Sequence, residues 1–454
     1  MQAGQMIEVN ITDVNYMGKG VAKINDFVVF VDDTITGDTA LIKIKEVKRN
    51  YAIGELIEIL DESEFRISPP CNYFNRCGGC QLMNMSYDQQ LVFKKNRVIN
   101  ELKRASVNID NITINDTLGM KNPMRYRNKT TFSVSTKNKK KEIIIGPYEQ
   151  GTYNTVNITE CMLQSETGDK AIILFKNLMI KYNLQAYNKT THKGTVKNLI
   201  IRNNKQNELM LIIVTAKESI PNLKKIVDEL TNSMGEIKTV VQNINPLNTN
   251  VIIGKRNIIL YGNGTIEDTI DDLIFTISPE TFFQINSIQT EKLYKAAIEY
   301  ANLNKNDICF DLYCGIGTIS LLAAKYAKKV YGVEIVEQSI INARNNAKLN
   351  NIDNIEFYSG KTEVILPLLY EQNISADVII LDPPRKGCEQ EVLDTIINLS
   401  PKKIVYVSCN PQTLARDIKI LEIAGYKPEK VQPVDQFPWT LHTEVVVLLR
   451  RQNY

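Results

Sequence analysis

A thiol stands where an apolar run ends and a helix is set to begin, in Val405-Tyr406-Val407-Ser408-Cys409-Asn410-Pro411. Asn is a favoured N-cap and Pro a favoured first helical residue, so Cys409 is expected just before a helix N-terminus, where partial positive charge favours thiolate over thiol. Cys409 is thus a candidate nucleophile, the alternative being a buried cysteine at a strand end. Acids accompany three other apolar runs. Ile308-Cys309-Phe310-Asp311-Leu312 leads into Tyr313-Cys314-Gly315-Ile316-Gly317-Thr318, and the next run ends at Glu334, 23 residues beyond Asp311. A third run, 377–381, ends at Asp382-Pro383-Pro384-Arg385, where the prolines rigidify the turn. A glycine turn that opens a helix, with an acid ending the following strand, is how doubly wound sheets hold a nucleotide ribose. The dinucleotide fingerprint needs a third glycine at position 320, and the residue is Ser320. The pattern therefore points to a ribose-bearing cofactor without a pyrophosphate, of which S-adenosylmethionine is the commonest, held by the close backbone approach at Gly315 and Gly317 and by Glu334.

In an open parallel sheet the ligand lies beyond the carboxyl ends of the strands, so Asp311, Glu334, Asp382 and Cys409 are expected along one edge. The last run, 442–449, follows an extended stretch near 427–436 across a connection too short for a helix, and is expected to be antiparallel to it. Inserted among parallel strands, it begins at the edge where they end and brings Glu444 near Cys409 and Asp382. A carboxylate opening an apolar strand is costly to bury without a partner or a proton, and Glu444 is read as the general base. The chain has only two histidines, His192 and His442, so acid–base work falls largely to carboxylates.

A second constellation is Cys71, Cys77 and Cys80 within ten residues, with Gly78-Gly79 free to fold the backbone around one point. The only other cysteine before the C-terminal half is Cys161, the candidate fourth ligand. Four thiolates without histidine suit zinc or an iron-sulfur cluster, and spacing does not choose between them. Close behind, Met124-Arg125-Tyr126-Arg127-Asn128-Lys129 mixes cations with an aromatic as RNA-binding surfaces do. Arg125 and Arg127 carry more weight than the lysine run 137–141, which reads as a solvated hairpin tip.

These groups need several domains to position them, since 454 residues exceed a single core. Residues 1–60 read as five short strands, 6–11, 20–24, 27–31, 39–45 and 53–60, forming a small barrel like the oligonucleotide-binding fold, with Lys43, Lys45, Lys48 and Arg49 placed to follow a phosphate backbone. Residues 61–90 and 120–275 are expected to form an α+β central domain carrying the cysteines. Residues 91–119 and 276–454 are expected to form an α/β domain with a doubly wound, Rossmann-like sheet. A net charge of +3 does not by itself establish a nucleic-acid partner. No run of eighteen apolar residues and no signal-like start is present, so a cytoplasmic chain is expected, in which eight cysteines serve metal binding or catalysis before disulfides.

With these motifs in view the chain resembles the RNA uridine-5-methyltransferases, in particular the bacterial 23S ribosomal RNA branch. The resemblance rests on a TRAM-like barrel, the set Cys71, Cys77, Cys80 and Cys161, the run Phe282-Phe283-Gln284-Ile285-Asn286, Asp311 to Gly317, Asp382-Pro383-Pro384-Arg385, Ser408-Cys409-Asn410-Pro411, and Glu444. It implies a class I methyltransferase domain and a 4Fe-4S cluster in place of zinc. It further implies that Gln284, Tyr313, Glu334 and Asp382 contact S-adenosylmethionine, with Cys409 as nucleophile and Glu444 as base. Phe282 or Phe283 is expected to stack on the RNA, at least one of the two being core. The barrel and the cysteine set, usually absent from the transfer-RNA branch, favour 23S ribosomal RNA, naked or in an early assembly intermediate, as the partner of a monomer that does not bind membranes. The alternatives are a transfer-RNA uridine-5-methyltransferase and a noncatalytic iron-sulfur RNA-binding protein.

Overall fold

The computed structural model describes residues 1–137 and 142–452, so the lysine run 137–141 lies outside the described residues apart from Lys137. The N-terminal strands form a six-stranded sheet, Met6–Asn10, Asp13–Val14, Gly20–Ile24, Phe27–Val31, Thr39–Val47 and Tyr51–Asp61, one short strand more than the sequence suggests. Alternation sends Ile42 and Ile44 into a small core with Val29 and Val31, which leaves Lys43 and Lys45 exposed on the other face of their strand.

The central sheet runs in the order Arg256–Tyr261, Ile237–Ile244, Leu209–Thr215, Val196–Asn203, Lys129–Lys137, Glu142–Gly146. Helices Glu166–Lys181 and Leu223–Ser233 cover it through Ile172, Phe175, Ile226 and Leu230. The second helix is the crossover that lets Leu209–Thr215 and Ile237–Ile244 pair in parallel.

From residue 308 the near-continuous apolar runs form strands buried on both faces. Their sheet order is Ile355–Ser359, Lys329–Glu334, Ile308–Leu312, Val378–Leu381, Lys403–Ser408, Glu444–Arg451, Tyr426–Val434, with the two-residue Thr113–Ile114 at the edge. The first five are parallel, and Glu444–Arg451 is antiparallel to both of its neighbours, as expected. Strand order reverses beside Ile308–Leu312, which opens a crevice at the carboxyl ends. Leu293, Leu321 and Ala343 pack on one face, and Leu366, Leu393 and Ile418 on the other. The hairpin Ile266–Ile270/Leu273–Ile277 straddles the expected boundary at 275 and packs into the first of these clusters with Val405 and Val378. Helix Tyr87–Arg104 joins the second through Val98 and Leu102. Among the described residues no helix is long and apolar enough to cross a membrane.

Candidate active site

Backbone register brings the acids and the thiol together. Leu312 pairs with both Val333 and Leu381, so Tyr313, Glu334 and Asp382 leave the sheet side by side. Farther along, Ser408 pairs with Val445 in antiparallel sense as the last rung of its ladder, and Cys409 and Glu444 are the residues directly beyond that rung on the two chains. A slip of one residue in that ladder would turn the carboxyl to the other face. Beyond the strand ends lies a cleft of about 1050 Å³, bordered by Phe282, Phe283, Gln284, Tyr313, Gly315, Glu334, Asp382, Cys409 and Glu444.

Of the two glycines in the turn after Leu312, only Gly315 borders this cleft. Both have positive φ, 56° and 83°. A Cβ on Gly315 would meet nothing within 4 Å, whereas one on Gly317 would come within 2.9 Å of Leu321 and Phe357. Gly315 therefore keeps the backbone open to a ligand, and Gly317 lets the helix Thr318–Ala324 pack on the sheet. Gly317→Ala is expected to cost ~1–3 kcal/mol of stability by overpacking. Gly315→Ala should lose less stability and more affinity for S-adenosylhomocysteine, a contrast that thermal melts and calorimetric titration of the two variants will read.

Glu334 accepts the N–H of Gly315 at 3.2 Å and of Val336 at 2.8 Å, which fixes its carboxylate at the mouth of the turn. Asp311 lies deeper and does not line the cleft. It accepts the Ser320 hydroxyl with one oxygen while the other has no partner, and burial pushes it up to about 7. Burial also pushes Asp382 up to about 7. Glu444 is only 2 % exposed. Burial and the neighbouring Asp382 push it up to about 8, against the pull of Arg385 and Lys94.

The helix after Cys409 begins as its residues dictate: Asn410 caps it by accepting the Gln412 N–H at 3.2 Å, and Pro411 opens Pro411–Ile423. The expected lowering of the Cys409 thiol is nevertheless reversed. Burial, then Glu444 and Asp382, push it up to about 12, with Arg385 opposing. Two carboxyl groups and lost hydration outweigh the partial charge of a helix end.

Sequence reasoning left Arg385, Phe437 and His442 without roles, yet all three border the cleft. Arg385 stood in plain view in its motif. Its turn is fastened to the helix that follows the thiol, since Asn410 and Thr413 donate to the Arg385 carbonyl at 2.9 and 3.2 Å, and Asp417 accepts the Cys388 N–H at 2.9 Å. Phe437 and His442 belong to residues 435–443, which join the last two strands. That segment is anchored from below. Lys94 pairs with Asp435 and donates to the Phe437 carbonyl at 3.0 Å, and the Tyr87 hydroxyl donates to Asp435 at 2.6 Å. Trp439, at φ 68°, accepts the N–H groups of Gln81 and Leu82 on its carbonyl, both at 3.0 Å, and its own N–H donates to Gln90 at 3.0 Å. The chain directly after Cys80 thus holds the segment that ends at Glu444.

Phe282 and Phe283 divide as expected. Phe283 is 3 % exposed and packs against Phe275, whereas Phe282 is 69 % exposed at the cleft mouth. Arg125 and Arg127 are turned to the cysteine loops. Arg125 donates through Nη1 to the carbonyls of Cys161 and Gln164 at 2.8 and 3.0 Å and pairs with Asp169, so that end of its guanidinium is engaged inside the fold. Arg127 is half-buried beside Tyr126, Cys80 and Cys161, its Nε without a partner.

Cys71, Cys80 and Cys161 share an apolar cluster with Met83, Tyr126 and Trp439, and all four candidate ligands are free thiols. The Gly79 N–H donates to the Cys77 sulfur at 3.3 Å, and the N–H groups of Tyr73 and Phe74 favour the Cys71 thiolate against the upward push of burial. Among the described residues no three His, Cys, Asp or Glu side chains are arranged to hold a single metal ion.

Five parallel strands with an antiparallel strand beside them in this order, and a glycine turn and a strand-end acid over one cleft, are the framework of an S-adenosylmethionine-dependent methyltransferase. The chain belongs to the RNA uracil-5-methyltransferase family: the model described as tRNA (uracil-5-)-methyltransferase matches residues 86–452, and the TRAM domain model matches residues 2–57. An uncharacterized RNA methyltransferase of Clostridium acetobutylicum is 45% identical over 446 residues, covering 98% of this chain and 96% of its own. One from Bacillus cereus is 43% identical over 452 residues, 99% of this chain and 98% of its own. The solved tRNA (uracil-54, C5)-methyltransferase of Pyrococcus abyssi, in complex with S-adenosyl-L-homocysteine, shares the fold at 24% identity, with a TM-score of 0.78 over 98% of this chain and 100% of that one.

Proposed function

We propose that this enzyme methylates carbon 5 of a uridine in 23S ribosomal RNA through a covalent bond between Cys409 and carbon 6 of the uracil. The observation that carries the covalent route is that Cys409 and Glu444, each next to the Ser408–Val445 rung, border one cleft with Gly315, Glu334 and Asp382. Carbon 5 of uracil is a poor nucleophile, and addition of the Cys409 thiolate to carbon 6 gives it enolate character, so that it can take a methyl group. S-adenosylmethionine, when bound, supplies that methyl on a sulfonium. Gln284, Tyr313, Gly315, Glu334 and Asp382 would hold it, and the open space over Gly315 fits a ligand at close backbone approach. A sulfonium held by these residues would favour anions in the cleft, Cys409 included, against the burial that holds its thiol protonated. Glu444 then takes the proton from carbon 5, and elimination releases Cys409. Phe282 is exposed enough to stack on RNA and offset part of the few kcal/mol needed to unstack the target base.

The cysteine set fits a thiolate-held group: four free thiols, backbone N–H donors to sulfur, and the cation of Arg127 beside Cys80 and Cys161 with a buried donor unpartnered. We assign it a 4Fe-4S cluster, which spreads its ligands more widely than one ion does. Protein purified without oxygen is expected to show broad brown absorbance and about four irons per chain. A colourless protein with stoichiometric zinc would overturn the assignment.

Transfer RNA is the second reading. It is favoured by one observation, that the solved Pyrococcus abyssi transfer-RNA enzyme shares this architecture along its whole length. Methyl incorporation into naked 23S ribosomal RNA and into unmodified transfer RNA, assayed side by side, decides between them. Label in transfer RNA alone would sink the ribosomal reading.

A further inference from the structure

Arg125 and Arg127 are turned toward the thiols, and an exposed cation meets exposed aromatic rings elsewhere on the central domain. Tyr148 and Tyr153 follow strand Glu142–Gly146, their rings edge-to-face with centroids 5.8 Å apart. Lys189, from the loop 188–193, stands over both rings at 5.2 and 5.5 Å and donates to the Tyr148 hydroxyl at 2.9 Å. That uses one of the three donors of an ammonium, and Lys189 is exposed. Holding the loop down would need only Tyr148. Tyr153 is 73 % exposed, more than Phe282 at the cleft mouth, and adds apolar surface that folding does not require. The local charge has one sign: residues 185–197 contain Lys189, Lys193 and Lys197 and no acid, and the sole acid between 143 and 157, Glu149, lies 3.5 Å from Arg76. Lys197 is spent on the carbonyls of Asn245 and Leu247 at 3.1 and 2.6 Å, so Lys189 is the cation at the rings. The rings are held in place from below. Gly78 donates to the Tyr148 carbonyl at 3.0 Å, and Gln150 to the Arg76 carbonyl at 2.9 Å. Gln150 also borders a small polar cavity with Met17, Gly18 and Gln81, and a Cβ on Gly18 would lie 3.3 Å from Leu441, on the segment that ends at Glu444. A short run of packed residues therefore connects the rings to the cleft segment.

We infer that Tyr148, Tyr153 and Lys189 form a second RNA contact, where an unpaired nucleotide outside the target uridine stacks its base on Tyr153 and sets its phosphate against Lys189. A ring that stacks on a base beside a cation that meets the backbone is how proteins hold single-stranded RNA, and a base inside a duplex has no free face to offer. One exposed ring among cations is too small an apolar area for a stable protein interface, which buries about 800 Å² per partner. The inference rests on RNA being the substrate, and neither on the choice of ribosomal RNA nor on the covalent route.

The test is binding of the full-length protein, read by fluorescence anisotropy, to a labelled oligouridylate of about 20 nucleotides, longer than the ~4–16 that one small binding module covers, and to a fully paired RNA duplex of the same length. Tyr153→Ala should weaken binding of the single strand roughly tenfold, the loss of one stacked base, and leave the duplex as it was. Tyr153→Phe keeps the ring and should bind as the wild type does. Lys189→Gln, an independent variant at an exposed position, should weaken the single strand and lower the slope of log affinity against log salt by about one. Wild-type affinity in Tyr153→Ala, an equal loss on the duplex, or an unmoved salt slope in Lys189→Gln would overturn the inference and leave the rings to a protein partner or to none. Adduct formation with 5-fluorouridine RNA is read separately: a wild type that forms no adduct, yet shows this dependence on Tyr153, loses the covalent route and keeps the second contact.

Discussion

Cys409→Ala, incubated with 5-fluorouridine RNA and S-adenosylmethionine, is expected to give no covalent protein–RNA adduct, while the wild type accumulates one. The reason lies in the final step. Fluorine at carbon 5 cannot be removed as a proton, so an enzyme that adds sulfur to carbon 6 is trapped after methyl transfer, and one without the sulfur never starts. On ordinary uridine the same variant should lose on the order of 10⁶ in rate, the scale seen when an enzymatic nucleophile is deleted. Cys409 is only half-buried, so its fold should survive the change. Gel mobility of the labelled RNA under denaturing conditions reads the result. A wild-type protein that forms no adduct on any RNA would remove the main support of the covalent route.

Glu444→Gln should do the reverse and accumulate adduct on ordinary uridine RNA, with release slowed ~10²–10⁴-fold, the usual contribution of a positioned base. The amide keeps the shape and loses the ability to take a proton. Stability should move with it in a direction set by linkage. Glu444 rises from 4.5 to about 8 on folding, so the native state holds the proton more tightly than the unfolded chain. The stabilisation from that proton is complete below pH 4.5 and is lost as pH rises through about 8. Glu444→Gln has no such loss, and its melting temperature should fall less than that of the wild type between pH 5 and 8.5. Asp311 and Asp382, both held at about 7, continue to contribute the same slope in each protein. A variant whose melting curve tracks the wild type across that range would indicate that Glu444 is charged in the native state.

The edge that gathers Glu334, Asp382 and Cys409 was legible because strand ends announce themselves locally. An apolar run stopping at an acid, a glycine pair, or an Asn-Pro step is a short-range signal, and sheet topology converts several of them into one site. The antiparallel last strand followed from the length of one connection. What could not be read was set by contacts between residues hundreds of positions apart. Lys94 lies on a helix rich in charge, where a lysine reads as solvated, and only the fold reveals that Asp435 waits for it. Arg125 and Arg127 were read as RNA-facing from composition, but a basic run beside an aromatic looks the same whether it meets a phosphate or, as here, Asp169 and a set of thiols. The Cys409 thiol went the opposite way from its helix-based expectation because the decisive neighbours, Glu444 and Asp382, come from other strands.

The chain contains a single tryptophan, and it is Trp439. Its indole donates to the Pro123 carbonyl at 2.8 Å, shares an apolar cluster with Cys71, Cys80 and Cys161, and sits on the segment that carries Phe437 and His442 to the cleft. Indole emission, excited beyond the absorption of the 20 tyrosines, therefore comes from one known place. Iron-sulfur groups absorb where indole emits, so loading of the cysteine set would darken the signal, and its release would brighten it. The same ring lies five residues from Glu444, on the segment that reaches the cleft, though it does not itself border the cleft. Evolution has left an optical probe at the junction between the thiols and the chemistry.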